Sequence, residues 1–195
     1  MARMNNTQFY NASIKKYKKT AMGVHWASAE RQLIRFEVFH ALLKDELRFS
    51  TIVDAGCGFG DFYLYLESKN SLPLEYIGLD SHKKMVSIAK KATKQQVLHG
   101  DILRDVLPEA DYYFCSGALN ILEPFETILS IKQMLRYAHR GVVFNILKGE
   151  KDTSSYNKYM PHEMRTLLEF FQGKIEIIED YLKGDFTVFL RKKDD

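Results

Sequence analysis

The stretch Thr51 to Asp61, TIVDAGCGFGD, sets how this chain folds. Ile52 and Val53 suit the interior of a buried β-strand, and Asp54 closes it. Gly56, Gly58 and Gly60 then let the backbone turn tightly and approach a ligand with no Cβ in the way. The amphipathic run after Asp61 predicts a helix, whose first N–H groups are free to meet a polar or anionic partner. Two further stations repeat the pattern of a strand ending in an acid. YIGLDSH (Tyr76–His82) places Asp80 at the end of a second strand, and VLHGDIL (Val97–Leu103) places Asp101 just past a third.

Taken together, these three stations resemble the class I, Rossmann-like S-adenosylmethionine (SAM) methyltransferases. The resemblance spans Thr51 to Phe144 and extends less clearly over the rest. It implies an α/β fold: a three-layer, doubly wound, seven-stranded, mostly parallel sheet ending in an antiparallel hairpin. It implies SAM as cofactor and S-adenosylhomocysteine as product. It also assigns a cofactor site. Asp54, Ala55, Gly56, Cys57, Gly58 and Asp61 belong to the loop, and Asp80 with Ser81 to the ribose. Gly100, Asp101 and Ile102 belong to the adenine, and Ser116 and Gly117 to the end of the fourth strand.

A strand, glycine loop and helix also suit dinucleotide enzymes. Their loop cradles a pyrophosphate, which neighbouring carboxylates repel. Here Asp54 precedes the loop and Asp61 follows it. SAM carries no phosphate, and its amino and sulfonium groups are cationic, so the acidic flank favours SAM over NAD.

The chain has 195 residues, 46% of them apolar, which suits one domain with a full core. No apolar run reaches the ~18 residues of a membrane span. The start, MARMNNTQFYN, lacks the apolar core of a signal peptide. Cys57 and Cys115 do not make a disulfide framework. These features predict a reduced, cytoplasmic protein without membrane partners. A net charge of +3 neither requires nor excludes nucleic acid.

Residues 1–47 read as an N-terminal arm and capping helix, and residues 48–195 as the Rossmann-like core, within a single domain overall. Lys15, Lys16, Lys18 and Lys19 around Tyr17 form a solvated arm, a lid over bound ligand, or a nucleic-acid arm. Ser28 can cap a helix running to about Leu47, with Ala29, Leu33, Phe36, Phe39, Leu43 and Leu47 as its buried stripe. Gln32 and Arg35 share a neighbouring face. Arg35 has two readings: a surface salt bridge with Glu30 or Glu37, or, by resemblance, a contact to the carboxylate of SAM's methionine portion. Trp26 either staples the helix start or walls the active site. Tyr17, Trp26 and Arg35 are expected near the methionine end.

Further along, Asp61–Ser68 predicts a helix with Phe62, Leu64, Tyr65 and Leu66 inward. Asp80 ends strand Glu75–Asp80 at the carboxyl edge, where open α/β sheets bind ligands; the alternative is a helix N-cap. Met85, on helix His82–Thr93, touches the adenine or is core. Asp101 accepts from the adenine amino group or serves a turn. Asp111–Gly117 reads as a central strand. A helix follows from Pro124 to about His139, then strand Gly141–Leu147, a loop with Tyr156 and Tyr159, and helix Pro161–Gln172. Lys174–Leu182 and Phe186–Lys192 are strands joined by Lys183-Gly184-Asp185, a hairpin signal.

At the end of the fourth strand, base amino-group methylases carry Asn/Asp-Pro-Pro-Tyr/Phe, and cytosine C5 methylases need Pro-Cys. This chain has Ser116-Gly117-Ala118-Leu119-Asn120, with Cys115 inside the strand and no proline before it. Both nucleic-acid chemistries lose ground, and Cys115 reads as core. His25, Asn120, Tyr156 and Tyr159 are the acceptor-side candidates, and no catalytic base is assigned. No metal-ligand spacing appears, so the enzyme is expected to be metal-independent. A small-molecule acceptor is favoured by a compact chain without an appended RNA-binding domain. The alternatives are an RNA or protein acceptor, or a SAM-binding module without catalysis. The sequence does not address oligomeric state.

Overall fold

Strand β4 (Ala110–Ser116) shows why the sheet is covered on both faces. Tyr112 and Phe114 point to one side, Tyr113 and Cys115 to the other, and all four are buried. The computed structural model describes residues 29–150 and 156–193. Around β4 lie β1 (Thr51–Ala55), β2 (Glu75–Asp80), β3 (Gln96–His99), β5 (Ala138–Leu147), β6 (Lys174–Ile178) and β7 (Asp185–Arg191). The order across the sheet is β3-β2-β1-β4-β5-β7-β6. The first five in that order are parallel, and β7 runs antiparallel to both β5 and β6. This is the doubly wound, mostly parallel sheet closed by an antiparallel hairpin that the sequence predicts.

Five α-helices form the outer layers among the described residues: α1 (Ala29–Leu43), α2 (Asp61–Ser68), α3 (Lys83–Thr93), α4 (Pro124–Tyr137) and α5 (Pro161–Leu168). Helices α1 and α2 bring Phe36, Phe39, Leu43, Phe62 and Leu66 onto Tyr112 and Phe114. The Phe39 and Phe62 rings sit 5.4 and 5.1 Å from Phe114. On the same face, α3 packs Val86 and Ala89 against Cys57 and Val97. Opposite, α4 and α5 supply Ile131, Met134, Met164 and Leu168. Both open with proline in the first turn, where the missing N–H costs no hydrogen bond. Helix α1 therefore shares the core of the sheet.

Besides shorter bounds for β6, which ends at Ile178 rather than Leu182, and α5, which ends at Leu168 rather than Gln172, three details of the sequence reading change. First, α1 ends at Leu43, and Leu47 opens a separate 3₁₀ turn. Its buried face is Gln32, Arg35, Phe36, Phe39 and Leu43, while Leu33 and Ala29 are exposed. The polar pair turns inward because each finds a carboxylate partner, Gln32 the partly buried Asp61 and Arg35 the buried Asp185. Second, α2 buries Tyr63 rather than Leu64. Third, Asp185 is not a turn residue. It is the first residue of β7, paired in register with Leu147, and only 1% exposed.

Arg35 explains the burial of Asp185. Its guanidinium pairs with the Asp185 carboxylate, and not with Glu30 or Glu37. Tyr181 donates its hydroxyl to the other Asp185 oxygen at 3.1 Å and lies 2.8 Å from the Thr187 hydroxyl. Burial lowers the Arg35 pKa to about 10. Breaking a buried pair leaves an uncompensated charge, which costs about 3–5 kcal/mol, whereas replacing both partners by apolar groups is often neutral. Urea unfolding is thus expected to show Arg35→Ala destabilised on that scale. The double change Arg35→Met, Asp185→Leu should recover most of the loss. Near-wild-type stability for Arg35→Ala would rule out the pair as the fastening of α1.

Candidate functional site

The sheet reverses its winding between β1 and β4, so a crevice opens at the carboxyl ends of those strands. The glycine loop fills one wall of it. Gly56 has φ +78°, and a Cβ there would lie 2.5 Å from the Ala118 Cβ beyond β4. A side chain at Gly56 would push the two loops apart. Gly60, at φ +86°, starts α2 in a left-handed conformation, and its Cβ would lie 2.5 Å from Thr93. The Gly56 and Cys57 amides donate to the Leu79 carbonyl at 2.7 and 3.1 Å, fastening the loop to β2.

Asp80 completes this fastening. One carboxylate oxygen accepts the Gly58 N–H at 2.9 Å, and the other accepts the His82 N–H at 2.8 Å. The N-terminal cap of α3 is His82, so Asp80 steadies the helix entry and the glycine loop together. Each oxygen retains capacity for a further donor. Ser81 is exposed beside it, and the His99 ring nitrogen lies 3.1 Å from its carbonyl.

Acidity dominates the electrostatics here. Asp54 is 3% exposed and accepts the Tyr76 hydroxyl at 2.7 Å. Burial pushes its carboxyl up to about 7, with Asp80 and Asp61 raising it further against the Tyr76 hydrogen bond. Burial likewise raises Asp80 to about 6, opposed by its two backbone hydrogen bonds. Asp61, the first residue of α2, is raised by burial and accepts the Gln32 amide at 3.1 Å. Among the described residues, no lysine or arginine is ion-paired with any of the three. Ala55 and Cys57 are buried at the same edge, the Cys57 thiol raised well above its ordinary pKa by burial.

The remaining predicted residues distribute as follows. Met85 is buried in a small cluster with Phe59 and Ile88. Gly100 donates its N–H to the Asp80 carbonyl at 3.1 Å. The Asp101 carboxylate accepts the Leu103 N–H at 2.9 Å and lies 3.5 Å from Arg104, so it braces the turn after β3. Ile102 is partly buried against the core. Cys115 is a buried core thiol, raised to about 12 by burial. Tyr17, His25 and Trp26, with the lysines of the arm and Ser28, lie outside the described residues.

At the ends of β4 and β5 the structure adds residues that sequence reasoning missed. Asn145 is fully buried in β5. Its carbonyl oxygen accepts the Gly117 N–H at 3.0 Å, and its amide donates to Ser116 at 3.2 Å. The signal was present: a carboxamide interrupting the apolar run VVFNIL. Asn120 is buried and accepts the Leu147 N–H at 3.1 Å. Asn157 donates its backbone N–H to the Asn120 carbonyl at 2.7 Å and its amide to Leu122 and Thr127. Tyr159 joins the core and bonds through its backbone to Leu147 and Gly149. Tyr156 is half-buried beside Asn157 in sequence, its hydroxyl pKa raised by burial. Asn120 and Tyr159 thus both bond to Leu147 at the carboxyl edge, built into its scaffold.

Arg35 reaches the same edge, because Asp185 lies opposite Leu147 at the end of β5. Gln32 and Arg35 therefore span the crevice from the glycine loop to the hairpin. Among the described residues, no group of His, Cys, Asp and Glu could hold a metal ion, and no helix is long and apolar enough to cross a membrane.

Residues 52–141 match the family described as a methyltransferase domain. No curated protein matches the chain. Among solved structures it is similar to the N-methyltransferase NodS from Bradyrhizobium japonicum WM9 in complex with S-adenosylhomocysteine. The TM-score is 0.73 at 14% identity, over 98% of this chain and 100% of that one. It is similar to magnesium protoporphyrin IX methyltransferase (ChlM) from Synechocystis PCC 6803 with bound S-adenosylhomocysteine, with a TM-score of 0.71 at 14% identity over 97% and 96%. The small RNA methyltransferase HEN1 matches at a TM-score of 0.64 and 14% identity, over 85% of this chain and 25% of that one. The chain thus carries a matched methyltransferase domain over residues 52–141, within a seven-stranded sheet that has the fold of these solved methyltransferases.

Proposed function

We propose that the protein transfers a methyl group from SAM to a small-molecule acceptor without a metal ion. The carrying observation is the set of carboxylates Asp54, Asp61 and Asp80, the first and last buried and Asp61 partly so, without a paired lysine or arginine among the described residues, around a glycine loop. An edge of that charge attracts a cationic ligand and repels a pyrophosphate. When bound, SAM supplies a methyl group already activated by its sulfonium.

This chain's residues bind, orient and exclude water. Asp80 accepts from the ribose hydroxyls while its backbone bonds hold it still. Ala55, Gly56, Cys57 and Gly58 let the ligand approach the backbone. Asp54 and Asp61 favour the amino group and sulfonium. Ser81, Met85, Gly100, Asp101 and Ile102 border the adenosine, and Ser116 and Gly117 the reacting side. Gln32 and Arg35 set α1 beside the methionine end, with Tyr17 and Trp26 as candidates to close it. The acceptor, near His25, Asn120, Tyr156 and Tyr159, is held for in-line attack.

The small-molecule reading is supported by the absence of a base-methylase signature after β4. It is also supported by near full-length similarity to NodS and to the protoporphyrin methyltransferase. Likeness to a small RNA methyltransferase makes RNA the second reading. Incubation with labelled SAM and separate metabolite, RNA and protein fractions distinguishes them. Label is expected in the metabolite fraction, and label confined to RNA or protein would overturn the choice. Hydrogen bonds to a charged group are worth about 1.5–3 kcal/mol, so Asp80→Ala should weaken SAM binding roughly tenfold to a hundredfold. Unchanged binding by a folded Asp80→Ala would refute the ribose assignment.

A pH dependence follows as well. The Asp54 and Asp80 pKa values, about 7 and 6, are raised from 3.8. The folded chain thus holds protons that the unfolded chain has released. Their contribution to stability is full below the unfolded value and is lost as pH rises through about 6 to 7. Thermal melts of the ligand-free protein between about pH 5 and pH 8 should therefore show Asp54→Asn gaining on wild type as pH rises. SAM binding should tighten over the same interval, since a cation favours the ionised carboxylates. Binding that weakens with rising pH would contradict the assignment.

A further inference from the structure

A cavity of about 290 Å³ lies at the opposite end of the sheet, between the C-terminal ends of α1 and α2. Its lining includes His40, Lys44, Arg48, Lys69, Asn70 and Ser71, with Asp45 as its one acid among the described residues. The chain leaves it through Ser71 toward the first residue of β2, so it sits at the amino edge, away from the carboxylates that face SAM.

We infer that this cavity binds a phosphate-bearing anion. Among the described residues, Lys44, Arg48 and Lys69 have no carboxylate within ion-pair distance, although Asp45 shares the lining. Arg48 lies over the Phe49 ring at 4.5 Å and Lys69 over the Tyr65 ring at 5.5 Å, contacts that restrain both arms beside the opening. His40 is half-buried, with its ring nitrogen 2.7 Å from the Ser71 hydroxyl and its ring edge-on to Tyr65. Cations at helix C-termini favour the dipole, but three cations and a histidine around one acid exceed what two helix ends require. A planar guanidinium, two ammonium groups and a hydroxyl are the donors that phosphate oxygens take. The volume accommodates a phosphate with part of the group that carries it. Burial and the charges of Lys44 and Lys69 hold the His40 pKa below its ordinary value, and a bound anion would reverse that.

The test titrates the full chain with inorganic phosphate while His40 is followed by proton NMR against pH. Wild type is expected to show saturable binding with an upward shift of the His40 pKa. An exposed charge pair is worth a factor of about two to five, so Lys44→Gln, Arg48→Gln and Lys69→Gln together should weaken binding roughly tenfold or more. Lys44→Arg with Lys69→Arg should retain it. S-adenosylhomocysteine affinity should stay unchanged in all variants, which separates this site from the cofactor site. A parallel titration with a short ribo-oligonucleotide identifies the source. Tighter, salt-dependent binding lost in the same triple variant assigns a nucleic-acid backbone, and binding equal to free phosphate assigns a small phosphorylated molecule. An unmoved His40, or equal phosphate affinity in the triple variant, would overturn the inference.

Discussion

Three carboxylates share one edge of the sheet, and no lysine or arginine is paired with them among the described residues. Burying an acid without a cation is costly: burial raises the pKa of Asp54 and Asp80, and hydrogen bonds from Tyr76, Gly58 and His82 to the carboxylates offset part of that cost. That arrangement spends stability to create a field, and a cationic ligand releases the tension. The position of the glycine loop, the start of two helices and the choice of cofactor all follow from it.

The rest of the fold keeps that edge in place. Gly56 permits the loop to touch Ala118, so the ends of β1 and β4 meet. Asn145 and Asn120 then tie the ends of β4 and β5 with side-chain hydrogen bonds where strand pairing stops. On the far side, the buried pair of Arg35 with Asp185 locks α1 onto the hairpin, and Gln32 holds the carboxylate of Asp61. Helix α1 is thus a strut across the crevice. Its attachment is polar at the crevice and aromatic lower down, where Phe39 and Phe62 meet Phe114.

Local pattern carried much of this from the sequence. Helix α2 and strand β2 begin and end where the residues predict, because each boundary is set by nearby glycine, proline or acid. The carboxyl-edge position of Asp80 was legible for the same reason. Contacts between distant residues were not. Arg35 and Asp185 are 150 residues apart, so the helix stripe looked like Leu33 rather than Gln32 and Arg35, and Asp185 looked like a turn. The role of Asn145 does not stand out in the sequence, because the apolar residues around it define the strand and its partners, Gly117 and Ser116, lie 28 and 29 residues away. Asp101 shows the converse: the turn chemistry of Gly-Asp is visible in its bond to Leu103.

We propose the acidic glycine loop as the site for the ammonium-bearing methionine end of SAM and of its product S-adenosylhomocysteine. Isothermal titration of the full chain with S-adenosylhomocysteine and with NAD, each alone and in competition, tests it most directly. One S-adenosylhomocysteine should bind per chain with micromolar affinity, and NAD should neither bind nor displace it. Binding of NAD with no binding of S-adenosylhomocysteine would contradict this assignment of the glycine loop.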